Sequence, residues 1–252
     1  MGTLANLEDE MHRLVSEAQK RGIFLRVLGG LAIKVHSNHA QHRSLERKYP
    51  DIDFVTDKAS AQQLTDFLPD VGYTPNKTFN TLSGDRRQLW YDEERGRQID
   101  VFIGDFTMCH TLPLADRLEV EPLTIPLAEL FLSKAQIVEL NRKDVLDLLA
   151  LLLDHEADSG DEETINVDLI ADLCAQDWGL YTTVSMSIQK LHSVLDEGEV
   201  ELDEAEAQTI KKRLVAIQMA MDKAPKGLAW KMRAKVGKRV RWYEEVEEVQ
   251  RT

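Results

Sequence analysis

Two aspartates, Asp51 and Asp53, stand one residue apart in the stretch KYPDIDFVTD, residues 48–57. The surrounding Ile52, Phe54 and Val55 give this run the character of a buried strand. A strand's period of two puts both carboxylates on one face and Ile52 and Phe54 on the other. Adjacent anions on one face repel, and a bound divalent cation or full solvation relieves them. Pairs at the same spacing occur at Glu8/Glu10 and Glu119/Glu121, so the setting rather than the spacing singles out this pair. A third acid, Asp100, lies between Ile99 and Val101 in RQIDVFIG. If these two strands pair, three carboxylates converge. Hard oxygen donors, in a chain without a Cys/His cluster of convincing spacing, suit Mg²⁺ or Mn²⁺ better than Zn²⁺. Such a set serves two-metal phosphoryl transfer, with Asp51, Asp53 and Asp100 as catalytic metal ligands.

The elements that must position these acids are legible in order. An amphipathic helix is expected over about residues 7–21, and IFLRVLGG reads as a buried strand turning through Gly29 and Gly30 into the helical LAIKVHSNHAQHRSL. Glycines let backbone approach a ligand closely, and amides at a helix start suit phosphate. SAQQLTDFLPDV reads as a helix closed by Pro69 and a turn at Gly72. KTFNTL, RQLWY and RQIDVFIG follow as short, mostly antiparallel strands. Arg86 and Arg87, at the start of the second, are candidates to grip a triphosphate, with a plain surface role as the alternative. His36, His39 and His42 recur at three-residue steps without a fourth ligand and read as surface histidines near a helix end.

From about Ile125 the pattern changes to successive helices: PLAELFLSKAQIVEL, RKDVLDLLALLLDH, then residues 167–176, 182–195, 204–221 and 228–248. The acidic EADSGDEET, residues 156–164, reads as a linker. The Trp and Met residues of this half are assigned to the helical core. The expected class is α+β, with a core over 1–122 and an all-helical domain over 123–252.

Composition narrows the setting. Cys109 and Cys174 lack metal or redox spacing and read as reduced core thiols. The N-terminus carries acids where a secretory signal carries basic and apolar residues, and the longest apolar run, residues 146–153, is too short to span a membrane. A cytoplasmic protein without a membrane partner is expected. The net charge of −13 is uneven: residues 211–241 hold 11 Lys/Arg and one acid, Asp222, a local +10 that leaves −23 elsewhere. With Trp230 within it and Trp242 and Tyr243 directly after it, that stretch is a candidate contact for tRNA or another nucleic acid, or for an acidic protein surface.

The series of strand, Gly-Gly turn, helix, Asp-x-Asp strand and later Asp strand resembles the DNA polymerase β-type nucleotidyltransferase superfamily. Within it, GGLAIKVH, DIDF, QIDVF and LSKAQIVELNRKDVLDLLALL are most similar to the abortive-infection group that includes AbiEii-like toxins. The resemblance implies a polymerase β-type core, with Gly29 and Gly30 cradling nucleotide phosphates. It also implies that Lys134 and Asp144 line the nucleotide cleft and that Asp100 helps deprotonate an acceptor hydroxyl. The implied activity moves an NMP from an NTP such as ATP to a hydroxyl of tRNA, a protein or a small molecule, releasing pyrophosphate, with an antitoxin as a further partner. Where toxin-like members carry Arg and Ser before Asp-x-Asp, this chain has RKYP, a departure that bears on toxin activity more than on fold. Two other readings are a non-catalytic nucleotide-binding regulator and a nucleic-acid-binding module acting through 211–241.

Overall fold

The computed structural model describes residues 2–245, which form a mixed α+β protein with ten α-helices among the described residues. The chain divides into two compact units, one comprising Met1–His36, Lys48–Phe106 and Leu112–Pro126, the other Ser37–Arg47, Thr107–Thr111 and the chain from Leu127 onward.

The first unit is built on a five-stranded mixed sheet. Its strands are β1 (Arg26–Leu28), β2 (Ile52–Thr56), β3 (Thr74–Pro75), β4 (Arg87–Asp92) and β5 (Arg97–Ile103), in the order β1-β2-β5-β4-β3. β2 and β5 run parallel, and every other neighbouring pair is antiparallel. The segment at Leu123–Ile125 extends the β1 edge through Val27 N to Leu123 O (2.9 Å) and Ile125 N to Val27 O (3.0 Å). Helix α1 (Leu7–Lys20) starts where the Asn6 side chain accepts from the amides of Glu8 and Asp9, and it buries Met11, Leu14 and Ala18. Helix α2 (Gly29–His36) follows β1 directly, and α3 (Lys58–Asp70), capped by Asp57, buries Leu64, Phe67 and Leu68. Ile52, Phe54, Trp90, Ile99 and Val101 complete a dry core. Glu10 is fully buried against Arg13 and Tyr73; burial pushes its carboxyl up, but the hydrogen bonds from Arg13, the Leu4 amide and Tyr73 together outweigh this and hold it below the usual range.

Several expectations need correction here. KTFNTL is not a strand but helix α4 (Lys77–Ser83). Asn76 caps it, and the Asn80 side chain pairs with both backbone groups of Leu89, so a side chain on the helix does what a strand would do for β4. The helix expected after Gly30 stops at His36, with only a 3₁₀ turn over Asn38–Gln41. Pro69 lies inside the last turn of α3, and Val71 and Gly72 close it.

The second unit holds α5 (Leu127–Ala135), α6 (Arg142–Asp154), α7 (Val167–Gln176), α8 (Trp178–Asp196), α9 (Glu204–Lys223) and α10 (Leu228–Val236). Leu130, Phe131, Leu149, Ile170, Val184, Ile210 and Leu214 are its buried centre. The unit is not all-helical, and residues 156–164 are not a linker. They form the parallel strands β8 (Glu156–Asp158) and, from Thr164, β9 (Thr164–Asn166). Ile165 is fully buried, the intervening acids stay on the turn, and Arg213 holds the segment through Glu156 and the carbonyls of Leu152 and Leu153. A charge run read as a linker is thus anchored by one apolar residue and one arginine. Two short strands, β6 (Phe106–Thr107) and β7 (Thr111–Leu112), make a further small sheet. Helix α10 ends at Val236, before Gly237 at φ +64°, and the expected helical residues 246–248 lie outside the described residues.

Cys109 and Cys174 are free, buried thiols. Of the Met residues assigned to the core, Met221 is buried, but Met219 and Met232 are exposed. No helix among the described residues is long and apolar enough to cross a membrane.

Candidate active site

The parallel register of β2 and β5 places Asp53 directly beside Asp100. Register partners on adjacent strands share a face at about 4.8 Å between backbones, so the two carboxylates are neighbours. Asp51 stands one residue ahead of β2 and is half-buried, as is Asp53, whereas Asp100 is 4 % exposed. Ile52 and Phe54, fully buried, anchor the strand from the opposite face.

The turn from β1 into α2 meets the same acids. Leu28 is the antiparallel partner of Asp53, and Gly29 follows with φ +74°. A Cβ built on Gly29 would fall 2.5 Å from Asp53 Oδ2, so this position needs glycine for both conformation and space. Gly30 is the buried second residue of α2. The glycine turn, Asp53 and Asp100 therefore meet within one unit. Lys34, one helical turn further along α2, pairs with Glu8 and lies over the Tyr49 ring.

Asp100 is held on both oxygens. Arg87 donates to Oδ1 from Nε (2.7 Å) with Nη2 ion-paired to the same oxygen at 2.6 Å, and Gln98 Nε2 donates to Oδ2 (2.9 Å). The Arg87 guanidinium lies 5.0 Å from the Phe102 ring centroid and 5.9 Å from that of Phe79, which fixes its plane. The Arg86 side chain, by contrast, is 90 % exposed and pairs with Asp85 at 3.9 Å. The residue that reaches the acids is thus its neighbour. Nothing marked Gln98 beyond its two-residue spacing from Asp100, which puts both on one strand face.

No protein-family model matches this chain, and no curated protein matches it.

Lys134 and Asp144 lie in the second unit and bind each other at 3.0 Å. Lys134 also reaches Asp147 at 3.3 Å, and Arg47 grips Asp147 in a bidentate fork at 2.6 and 2.7 Å. Burial pushes the Lys134 amine down, but Asp147 and Asp144 outweigh it and hold it above the usual lysine range. Neither Lys134 nor Asp144 is a solvated helix-face residue. Arg47, the first residue of the RKYP departure, is committed to this buried network. His39 is likewise tied by Nδ1 to Asp154 (2.5 Å), and His42 to Ser44 (2.8 Å).

The carboxylate set offers only hard oxygen donors, and a carboxylate oxygen that accepts one or two hydrogen bonds keeps further lone-pair capacity. Donors of this type suit Mg²⁺ or Mn²⁺, which Asp53 and Asp100 would hold beside the Gly29 turn, but the expected convergence of all three carboxylates needs correction: the ligand oxygens of Asp51, Asp53 and Asp100 do not all lie within 4.8 Å of one another.

The basic stretch 211–241 is less available than its charge suggests. Arg213 is buried, Lys226 donates to the carbonyls of Met221 and Asp222, and Arg233 donates to those of Gly237 and Val240. The Trp230 indole donates to Cys174 O (2.9 Å) and that of Trp242 to Thr183 Oγ1 (3.0 Å), so both rings are engaged internally.

Proposed function

We propose that this protein is a metal-dependent nucleotidyltransferase with a polymerase β-type core. It transfers an NMP from an NTP to a hydroxyl acceptor and releases pyrophosphate. The observation that carries this reading is the pairing of Asp53 with Asp100 against the Gly29 turn. The metal, when bound, supplies charge neutralisation for the triphosphate and lowers the barrier to forming the attacking oxyanion. The chain's own residues do the positioning. The Gly29–Gly30 backbone admits the phosphates close to the sheet edge, and β2 and β5 hold Asp53 and Asp100 side by side. Phe79 and Phe102 orient Arg87, and Arg87 orients Asp100. The acceptor oxygen bonds to the α-phosphorus as the bond to the β-phosphate's bridging oxygen breaks. The acceptor's proton passes to an aspartate of this set. Lys134 and Asp144 take a structural part, joining α5 to α6.

The test is transfer of label from each α-³²P-NTP with Mg²⁺ to total tRNA or to the protein itself. Transfer that survives in both Asp53→Asn and Asp100→Asn would sink the assignment. A second reading, a nucleotide-binding regulator without turnover, is favoured by one observation: Arg87 and Gln98 already engage both oxygens of Asp100. It predicts Mg²⁺-dependent NTP binding with no pyrophosphate release.

A further inference from the structure

Helix α10 is secured from one side. Trp230 packs edge-on against Tyr181 with ring centroids 5.3 Å apart, and the Arg233 guanidinium lies 4.5 Å from the Trp178 ring centroid. On the other side, Leu228, Met232 and Val236 are 74 %, 55 % and 42 % exposed, and α10 contains no buried residue. Their i, i+4, i+8 spacing makes one apolar stripe about 12 Å long. Val240, 58 % exposed, follows it. Along one edge stand Lys231 and Lys235, with Arg239 beyond the helix; none of the three makes an ion pair among the described residues. Residues 223–241 contain eight Lys/Arg and no acid.

These features select the occupant. Nucleic-acid phosphates would answer the lysines but leave the apolar stripe against a charged backbone. An anionic bilayer faces a molecule carrying −23 outside residues 211–241. A second copy meeting it α10 to α10 brings no acid to Lys231 and Lys235. An acidic amphipathic helix satisfies both halves of the surface, with apolar residues on the stripe and carboxylates on the edge.

We propose that the exposed face of α10 is a docking surface for an acidic amphipathic helix of a partner protein. Its apolar side chains seat along Leu228, Met232 and Val236, and its Asp/Glu edge pairs with Lys231, Lys235 and Arg239. This does not depend on the nucleotidyltransferase reading.

The probe is a fluorescent synthetic peptide of about 18 residues, long enough to hold a helix by itself, with a leucine face and a glutamate edge. A lysine-edged peptide of the same apolar face is the control. Fluorescence anisotropy with the full chain should show the acidic peptide binding and the basic one not. Met232→Glu, and separately the pair Lys231→Glu and Lys235→Glu, should each weaken binding at least tenfold without lowering the melting temperature, since these side chains are exposed. The lysine pair variant should gain affinity for the basic peptide. Absence of acidic-peptide binding, or binding unchanged by these substitutions, overturns the proposal. So does finding that the same substitutions instead abolish binding to single-stranded RNA, to phosphatidylglycerol vesicles or to a second copy.

Discussion

At the scale of single residues, the arrangement turns on a few close approaches. Asp53→Asn and Asp100→Asn are expected to cut transfer by about 100-fold or more, the scale of losing one preorganised charged group; Asp53→Asn should leave the thermal midpoint unchanged, whereas Asp100→Asn should lower it, because it takes the charged partner from Arg87. Gly29→Ala should destabilise by about 1–3 kcal/mol in urea unfolding, since it places a methyl against the Asp53 carboxylate and strains a positive φ. Asp147→Asn breaks the buried network, leaving Arg47 and Lys134 with one partner fewer; about 3–5 kcal/mol should be lost. The same network has an alkaline signature. With Lys134 held above the usual lysine range, its contribution is present below about pH 10.4 and is lost as pH rises through the raised folded value. A Lys134→Met variant should lack that alkaline loss. Among single residues, the strand placement of Asp53 and Asp100 was legible from the chain. Arg87 was inseparable from Arg86, because two adjacent arginines differ only in which face of a strand each occupies.

At the scale of elements, the descent from α10 is a strap fastened at two points. Trp242 bonds to Thr183, and Glu244 N donates to Cys109 O at 3.0 Å. It crosses Gly179, where an added Cβ would sit 2.6 Å from the carbonyl oxygen of Trp242. Gly179→Ala should therefore loosen the strap and speed tryptic cleavage after Arg239 and Arg241, read by mass spectrometry of the fragments. Beneath it His110 bonds through Nε2 to Thr183 Oγ1 and through its amide to Gln136. Burial lowers the His110 pKa, against the opposing pull of Asp177, 3.8 Å away, and of Glu244. A depressed folded value means the unfolded chain takes up a proton first. Stability should thus be full above about pH 6.5 and fall as pH drops below it, and His110→Gln should flatten that fall in melts between pH 5 and 7. Elements with strong periodicity, such as α1 and α6, needed only local pattern. α4 and β9 did not announce themselves. KTFNTL has strand-forming residues that a cap at Asn76 and the Asn80 pairing with Leu89 overrule, and an acidic run conceals the buried Ile165.

At the scale of the whole molecule, charge is the organising asymmetry. Seven of the 11 basic residues of 211–241 are exposed, while Lys211, Arg213, Lys226 and Arg233 are partly or fully covered. Single-stranded RNA held by this region should therefore show a slope of log K against log salt no steeper than about −5, measured by filter binding. A steeper slope would require cations from elsewhere on the surface. What the sequence by itself determined was order: the strand, glycine turn, helix and Asp-bearing strands follow from local residue types, because periodicity and backbone preference act over a few residues. Only the tertiary structure decided partnership. It set the β2–β5 register that makes Asp53 and Asp100 neighbours, the turning of Arg87 rather than Arg86 onto Asp100, and the closing of Lys134, Asp144, Asp147 and Arg47 into one buried network. It also left Met232 on the surface. Register and burial are set by contacts between residues far apart in the chain, and local pattern carries no record of which distant face an element will meet.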